Sequence, residues 1–120
     1  MNSIDLQVRD STNGPAVHVT IDGRDLVDLL RRIELPAATA DGHPEIAGSY
    51  RGLSPYEWEA LPELEDDGRV AVLGCECGEV GCWPFQVRIS WRPATVLWSD
   101  FHGPGRNCDY TALGRFIFAR

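Results

Sequence analysis

Apolar and polar residues alternate along the N-terminal part of the chain. Every second position is apolar over residues 3–9 and again over residues 16–21. A period of two places one row of side chains on a single face of a strand. Residues 11–15, Ser-Thr-Asn-Gly-Pro, lie between the two segments, and Asn-Gly favours a tight turn. The pattern therefore predicts an antiparallel hairpin.

The spacing then changes to that of a helix. Asp22 or Asp25 can accept hydrogen bonds from the free N–H groups at its start, and Pro36 is expected to end it because proline lacks an N–H. Residues 36–53, rich in Ala, Gly and Pro, are predicted to form a long loop. The predicted apolar stripe consists of Leu26, Leu29, Leu30 and Ile33.

A second, short helix is predicted over residues 55–61. Ser54 can cap it, Pro55 suits the first helical position, and Glu57 lies three residues after the cap. Pro62 is expected to end this helix.

The C-terminal half is predicted to be a β-sheet. Residues 69–74, 85–91 and 96–101 have strand patterns, and 85–91 alternates most clearly. Residues 116–118 are apolar and fit either a strand or a helix. The chain length suits one domain, so we expect residues 1–120 to form a single α+β domain with a C-terminal antiparallel sheet.

The turn at residues 92–95 sets a register for the last strands. Pairing Trp91 with Val96 would place Phe85 opposite His102. The cysteine-rich segment, His102 and Cys108 would then meet at one end of the sheet. The same register puts three aromatic residues on one face, where core packing is the favoured interpretation: Phe85, Trp91 and Trp98.

Clustered cysteines are the most distinctive chemical feature. Cys75, Cys77 and Cys82, with His102 or Cys108, supply the four ligands that structural zinc prefers. The spacing lacks the paired Cys-x₂-Cys of zinc ribbons. Two alternatives stay open, namely a reactive or redox thiol and plain packing of small apolar side chains.

The residues between these cysteines bear on both thiol chemistry and binding. Glu76 and Glu79 would raise the pKa of a nearby thiol, which disfavours a thiolate. Trp83 follows Cys82 directly and is the strongest candidate for an exposed contact, since Trp is enriched in binding hot spots. We therefore take Trp83, Glu76 and Glu79 as candidate binding residues.

Net charge changes the list of possible partners. The chain carries a formal charge of −7, and its 11 basic residues are all arginine. Nucleic-acid binding depends on cationic groups and anionic membranes repel acidic surfaces, so neither partner is expected. A protein partner with a basic surface is favoured. The N-terminus does not resemble a signal peptide, so we expect a cytoplasmic protein with reduced cysteines.

Part of the chain resembles a known family. The motif Cys-Glu-Cys-Gly-Glu-Val-Gly-Cys-Trp-Pro, followed by Trp-Ser-Asp-Phe, is similar to a pattern in small bacterial proteins that are frequent in actinobacteria. The resemblance covers residues 70–118, and no activity, ligand or fold is established for that family. Because the pattern includes Cys75, Cys77 and Cys82 but not Cys108, it favours His102 as a fourth zinc ligand.

Two classes of function follow from the sequence. The favoured one is a non-enzymatic interaction protein of the immunity or regulator type, supported by small size, acidic charge and the Trp83 segment. The rival is a zinc-stabilised or thiol-redox protein centred on the segment from Cys75 to Cys82.

Overall fold

The computed structural model describes residues 1–11, 14–61, 68–75, 84–104 and 108–120, with only the backbone of Cys75. The fold is α+β, as predicted, with two antiparallel sheets and one main helix. The helices are α1 (Leu26–Ala40) and α2 (Pro55–Glu59). The strands are β1 (Ile4–Ser11), β2 (Gly14–Ile21), β3 (Arg24–Asp25), β4 (Tyr50–Gly52), β5 (Val70–Cys75), β6 (Phe85–Trp91), β7 (Thr95–His102) and β8 (Phe116–Ala119).

The first sheet has the order β1-β2-β3 and confirms the predicted hairpin. The eight residue pairs from Ile4–Ile21 to Ser11–Gly14 follow one unbroken register. Val19 and Ile21 are buried, because this face of β2 packs against the rest of the core.

Helix α1 begins as predicted but ends later. The side chain of Asp25 accepts a hydrogen bond from Val27 N at the helix start. The prediction that Pro36 ends α1 was wrong, since the helix continues to Ala40. Ala38 is 4 % exposed, so the turn after the proline is fixed by burial. No helix of the described residues is long and apolar enough to cross a membrane.

The predicted loop over residues 36–53 was also wrong in its extent. Its first residues belong to α1, a 3-10 turn occupies Pro44–Ile46, and β4 begins at Tyr50. Strand β4 pairs with β5 at the edge of the second sheet. An extended strand of only three residues carries too little pattern to be recognised in the sequence.

Helix α2 has the predicted start. The Ser54 hydroxyl accepts from Glu57 N at 3.1 Å, and the Glu57 carboxylate accepts from Ser54 N at 3.0 Å. This reciprocal pair is the predicted capping box. The helix ends at Glu59, two residues earlier than expected, and Pro62 lies outside the described residues.

The second sheet has the order β4-β5-β6-β7-β8, and residues 116–118 prove to be strand. Phe85 and Trp98 are buried, as predicted. Trp91 is not a core residue, because it lies at the end of β6 and is 66 % exposed. The guanidinium of Arg120 lies 5.6 Å from the centre of the Trp91 ring.

The two sheets are joined where β2 passes β4. Val17 N donates to Leu53 O at 2.6 Å. A Cβ atom at Gly52 would lie 2.3 Å from Val17 O, so the close approach requires glycine at this position.

A bulge in β7 changes the predicted register. Trp91 pairs with Val96 as expected, but His102 pairs with Gln86 and not with Phe85. The shift arises at Asp100, whose φ of 55° is in the left-handed region that aspartate tolerates better than most residues.

One consequence of the bulge is a change in which side chains of β7 face the core. Phe101 stacks on Phe85 with ring centres 5.8 Å apart, whereas His102 is exposed.

Candidate functional site

The most unusual buried group is the side chain of Glu34. Leu26, Leu30 and Ala38 share its row on α1, four residues apart, and Glu34 itself is only 3 % exposed. Among the described residues it is the one buried charged residue. Burying a carboxyl group is costly unless it is hydrogen-bonded, so its partners decide whether the fold tolerates it.

The donors to Glu34 come from two other parts of the chain. Tyr110 OH donates to Oε2 at 2.6 Å, and Tyr50 OH donates to the same atom. Gly48 N donates to Oε1 at 2.8 Å. Gly48 has a φ of 69°, which turns the backbone before β4 in a conformation that favours glycine. The carboxyl group thus ties α1 to β4 and to the segment before β8.

Burial and the charge of Glu34 determine how the neighbouring groups titrate. Burial is the larger cause that raises the pKa of both Tyr50 and Tyr110, and the contact with Glu34 raises each further. Burial, followed by the charge of Glu34, also raises the pKa of the Cys108 thiol. All three groups therefore stay protonated at neutral pH.

A shallow groove of about 220 Å³ passes beside this cluster. Cys108 and Tyr110 are among the residues that line it. The Tyr110 hydroxyl is directed to Glu34, and the Cys108 thiol donates to the Ile33 carbonyl oxygen at 3.7 Å. A neutral, engaged thiol is a poor nucleophile. The arrangement is suited to holding elements together, and neither the Cys108 thiol nor the Tyr110 hydroxyl is activated toward the groove.

A second polar cluster surrounds the bulge in β7. Arg69 donates to Asp100 Oδ1 at 2.9 Å, and Arg88 donates to Oδ2 at 3.1 Å. Hydrogen bonds from Arg69, followed by those from Arg88, hold the pKa of Asp100 below its usual range. The pair of arginines stabilises the ionised side chain at the point where β7 leaves its regular register.

The structure describes two of the predicted zinc ligands in full, and these two side chains differ in exposure. His102 is on the exposed face of the sheet, whereas Cys108 packs against the core beside α1. The bulge at Asp100 accounts for the exposure of His102, because it turns Phe101 inward in its place. Of the remaining ligands, Cys75 ends β5 opposite Tyr50, and Cys77 and Cys82 lie outside the described residues.

The candidate binding residues Glu76, Glu79 and Trp83 also lie outside the described residues. Within the described residues, no three His, Cys, Asp or Glu side chains are grouped so as to hold a metal ion. The zinc site and the binding role of Trp83 stay predictions.

Comparison of the chain with protein-family models, curated proteins and solved structures gives no match. The resemblance of residues 70–118 to small actinobacterial proteins likewise stays a prediction.

Sequence reasoning missed Glu34. A signal was present, because counting in fours from Leu26 and Leu30 reaches Glu34 and then Ala38. A glutamate in a buried row predicts hydrogen-bond donors elsewhere in the chain. The predicted apolar stripe passes through Ile33, which is only half-buried.

The raised tyrosine pKa values predict the behaviour of the protein in alkali. A tyrosine whose pKa is higher in the folded state adds stability below its ordinary pKa of about 10, and this is lost as pH rises further. Each of Tyr50 and Tyr110 then lowers the free energy of unfolding by about 1.4 kcal/mol per pH unit.

Absorbance at 295 nm, with and without denaturant, measures this directly. Below the alkaline unfolding transition the folded protein should form fewer tyrosinates than the denatured one, by two of its 3 tyrosines. Equal titration of all three in both states would contradict the buried network.

Proposed function

We propose that this protein acts as a non-enzymatic interaction protein that binds a protein partner with a basic surface. The observation that supports it most is Tyr56, a large aromatic residue that is 81 % exposed on α2. Tyrosine is enriched in binding hot spots, because its rigid ring offers apolar area together with a hydroxyl group.

Helix α2 holds this tyrosine in a fixed position. Its capping box orders the first turn, and Arg51 donates to both carboxylate oxygens of Glu57 at 3.0 and 3.2 Å. Trp58 anchors the other face against Trp98, with ring centres 6.5 Å apart. A side chain on a preorganised element loses less conformational entropy on binding.

The acidic sequence that follows Tyr56 favours a basic partner. Glu59 is exposed on α2, three residues along and therefore on the same side of the helix. The sequence over residues 57–67 contains six acidic residues and no basic one. Such a charge raises the association rate of a positively charged surface.

The buried titratable groups also support a non-enzymatic role. The Glu34 carboxyl group, the two tyrosine hydroxyls beside it and the Cys108 thiol face the interior or backbone atoms. Catalytic acids, bases and nucleophiles need access to a substrate, whereas these groups serve the packing of α1.

Partner capture with matched variants tests this proposal. Immobilised wild-type protein should retain a basic protein from a lysate of the organism that encodes it, and retention should fall as salt rises. Tyr56→Ala should reduce retention at least about tenfold and Glu59→Arg should reduce it as well, because both alter the contact surface.

Leu35→Ala is the control, since Leu35 is an exposed apolar residue on a different helix. It should bind like wild type. A partner held equally by Tyr56→Ala, or no selectively retained protein at all, would contradict the proposal.

The second candidate is a zinc-stabilised or thiol-redox protein. One observation favours this candidate, namely the position of two strand ends. Strand β5 ends at Cys75, and β7 ends at His102, opposite Gln86 near the start of β6. The segment that joins β5 to β6 therefore begins at the end of the sheet where His102 lies. This candidate uses Cys75, Cys77, Cys82 and His102.

Metal analysis of protein purified without a histidine tag separates the two candidates. The zinc candidate predicts one equivalent of zinc that is lost in Cys77→Ser and His102→Ala. Cys108→Ser should keep it, because Cys108 packs beside Ile33. Protein without metal and with freely titrating thiols would rule out the zinc site.

A further inference from the structure

Strand β1 is an exposed edge strand. It is the outer strand of the three-stranded sheet, and among the described residues no strand pairs with its free side. All residues from Asp5 to Ser11 are exposed. The charged residues of the strand are Asp5, Arg9 and Asp10, and it contains no Pro, no Lys and no bulge. Natural proteins usually blunt an edge with such features, because an unpaired edge invites another strand.

The apolar face of β1 continues the core-facing row of β2. Leu6 and Val8 pair with Val19 and Val17, so the four side chains are on one face of the sheet. Val19 and Val17 are 2 % and 5 % exposed, whereas Leu6 and Val8 are 42 % and 61 % exposed. The row is covered on β2 and left open on β1.

Backbone hydrogen bonds reveal which groups of β1 face outward. Val17 N donates to Leu53 O and so turns away from Val8. Asp22 N donates to Ser3 O at 2.8 Å. Because hydrogen-bonded and non-bonded pairs alternate in an antiparallel ladder, the N–H and C=O groups of Leu6 and Val8 point away from β2.

The polar face of β1 carries a self-complementary row. Arg9 donates to Gln7 at 2.8 Å, and Gln7 donates to Asp5 at 3.4 Å. If a second β1 lies antiparallel with Gln7 opposite its own copy, Asp5 of each chain faces Arg9 of the other. Leu6 of each chain then faces Val8 of the other, on the apolar side.

This register is distinguished from its neighbours by charge. Moving the two-fold axis to Leu6 or to Val8 places both Asp5 and Arg9 opposite uncharged residues. Opposite charges directly across a strand pair are stabilising and like charges are destabilising. The Gln7-centred pairing is therefore favoured over both neighbours.

We propose that two copies of this chain associate through β1, edge to edge, about a two-fold axis at Gln7. The two three-stranded sheets then form one sheet of six strands. This dimer goes beyond the proposed function, which uses α2. Because paired strands alone bury less than a standard interface of about 1,600 Å², we expect a dissociation constant on the order of micromolar.

Sedimentation of charge variants tests the register. The wild type should change from 13.3 kDa to twice that mass between about 1 µM and about 1 mM. Arg9→Asp should weaken the dimer about tenfold or more, because Asp5 would then face an aspartate. Asp5→Arg should weaken it similarly, because Arg9 of the other chain would then face an arginine. This variant lowers the net negative charge, so a weaker dimer could not be attributed to added negative charge. The double variant Asp5→Arg/Arg9→Asp restores both pairs and should dimerise like wild type.

The controls make each outcome decisive. Circular dichroism should give the wild-type fold for every variant, because Asp5 and Arg9 are exposed. Tyr56→Ala should dimerise normally, so loss of partner binding and loss of the dimer are separate results. Wild type that stays monomeric overturns the proposal and leaves the edge to another kind of partner. A dimer unaffected by the single variants, or not restored by the double variant, overturns it as well.

Discussion

The buried carboxyl group of Glu34 is the interaction on which the arrangement of this fold depends. The row of α1 that faces the core would be apolar without it, and any apolar surface could then cover the helix. Because a buried carboxyl group must be hydrogen-bonded, α1 is restricted to a position where Tyr50, Tyr110 and Gly48 all reach it. These donors lie before and within β4 and in the segment before β8, so one side chain fixes the helix against β4 and against that segment.

The hydrogen bonds to Glu34 also keep several reactive side chains inside the protein, apart from the exposed surface. The hydroxyls of Tyr50 and Tyr110 are directed to Glu34, and Cys108 is held protonated beside them. Within the described residues, the buried Glu34, Tyr50 and Tyr110 and the Cys108 thiol thus serve the fold. The exposed groups of the described residues include an aromatic residue on a well-anchored helix and an edge strand with an open apolar row, which are features of molecules that bind other proteins.

Elements set by local interactions could be predicted from the sequence. The hairpin of β1 and β2 follows from alternation around Asn-Gly, and the capping box of α2 follows from Ser54 and Glu57. Features set by distant contacts could not. Helix α1 continues past Pro36 because tertiary burial fixes its last turn. The bulge at Asp100 is held by Arg88 of the neighbouring strand β6 and by Arg69, which precedes β5.

The candidate site was predictable only in part for the same reason. Cysteine clustering is visible in a sequence, whereas the partners of Glu34 are 14 to 76 residues away along the chain. The exposure of His102 depended on a single bulged residue, because a shift of one residue moves every later side chain of a strand to the other face.

A double-mutant cycle between Glu34 and Tyr110 tests the central claim most directly. Glu34→Gln, Tyr110→Phe and the double variant would be compared with the wild type by denaturant unfolding. Hydrogen bonds to charged groups contribute about 1.5–3 kcal/mol, so we expect each single variant to be destabilised and the pair to be coupled by at least about 1 kcal/mol. Destabilisations that add to within about 0.5 kcal/mol would mean that the two side chains act independently, and would contradict the account of Glu34 as the group that holds α1 in place.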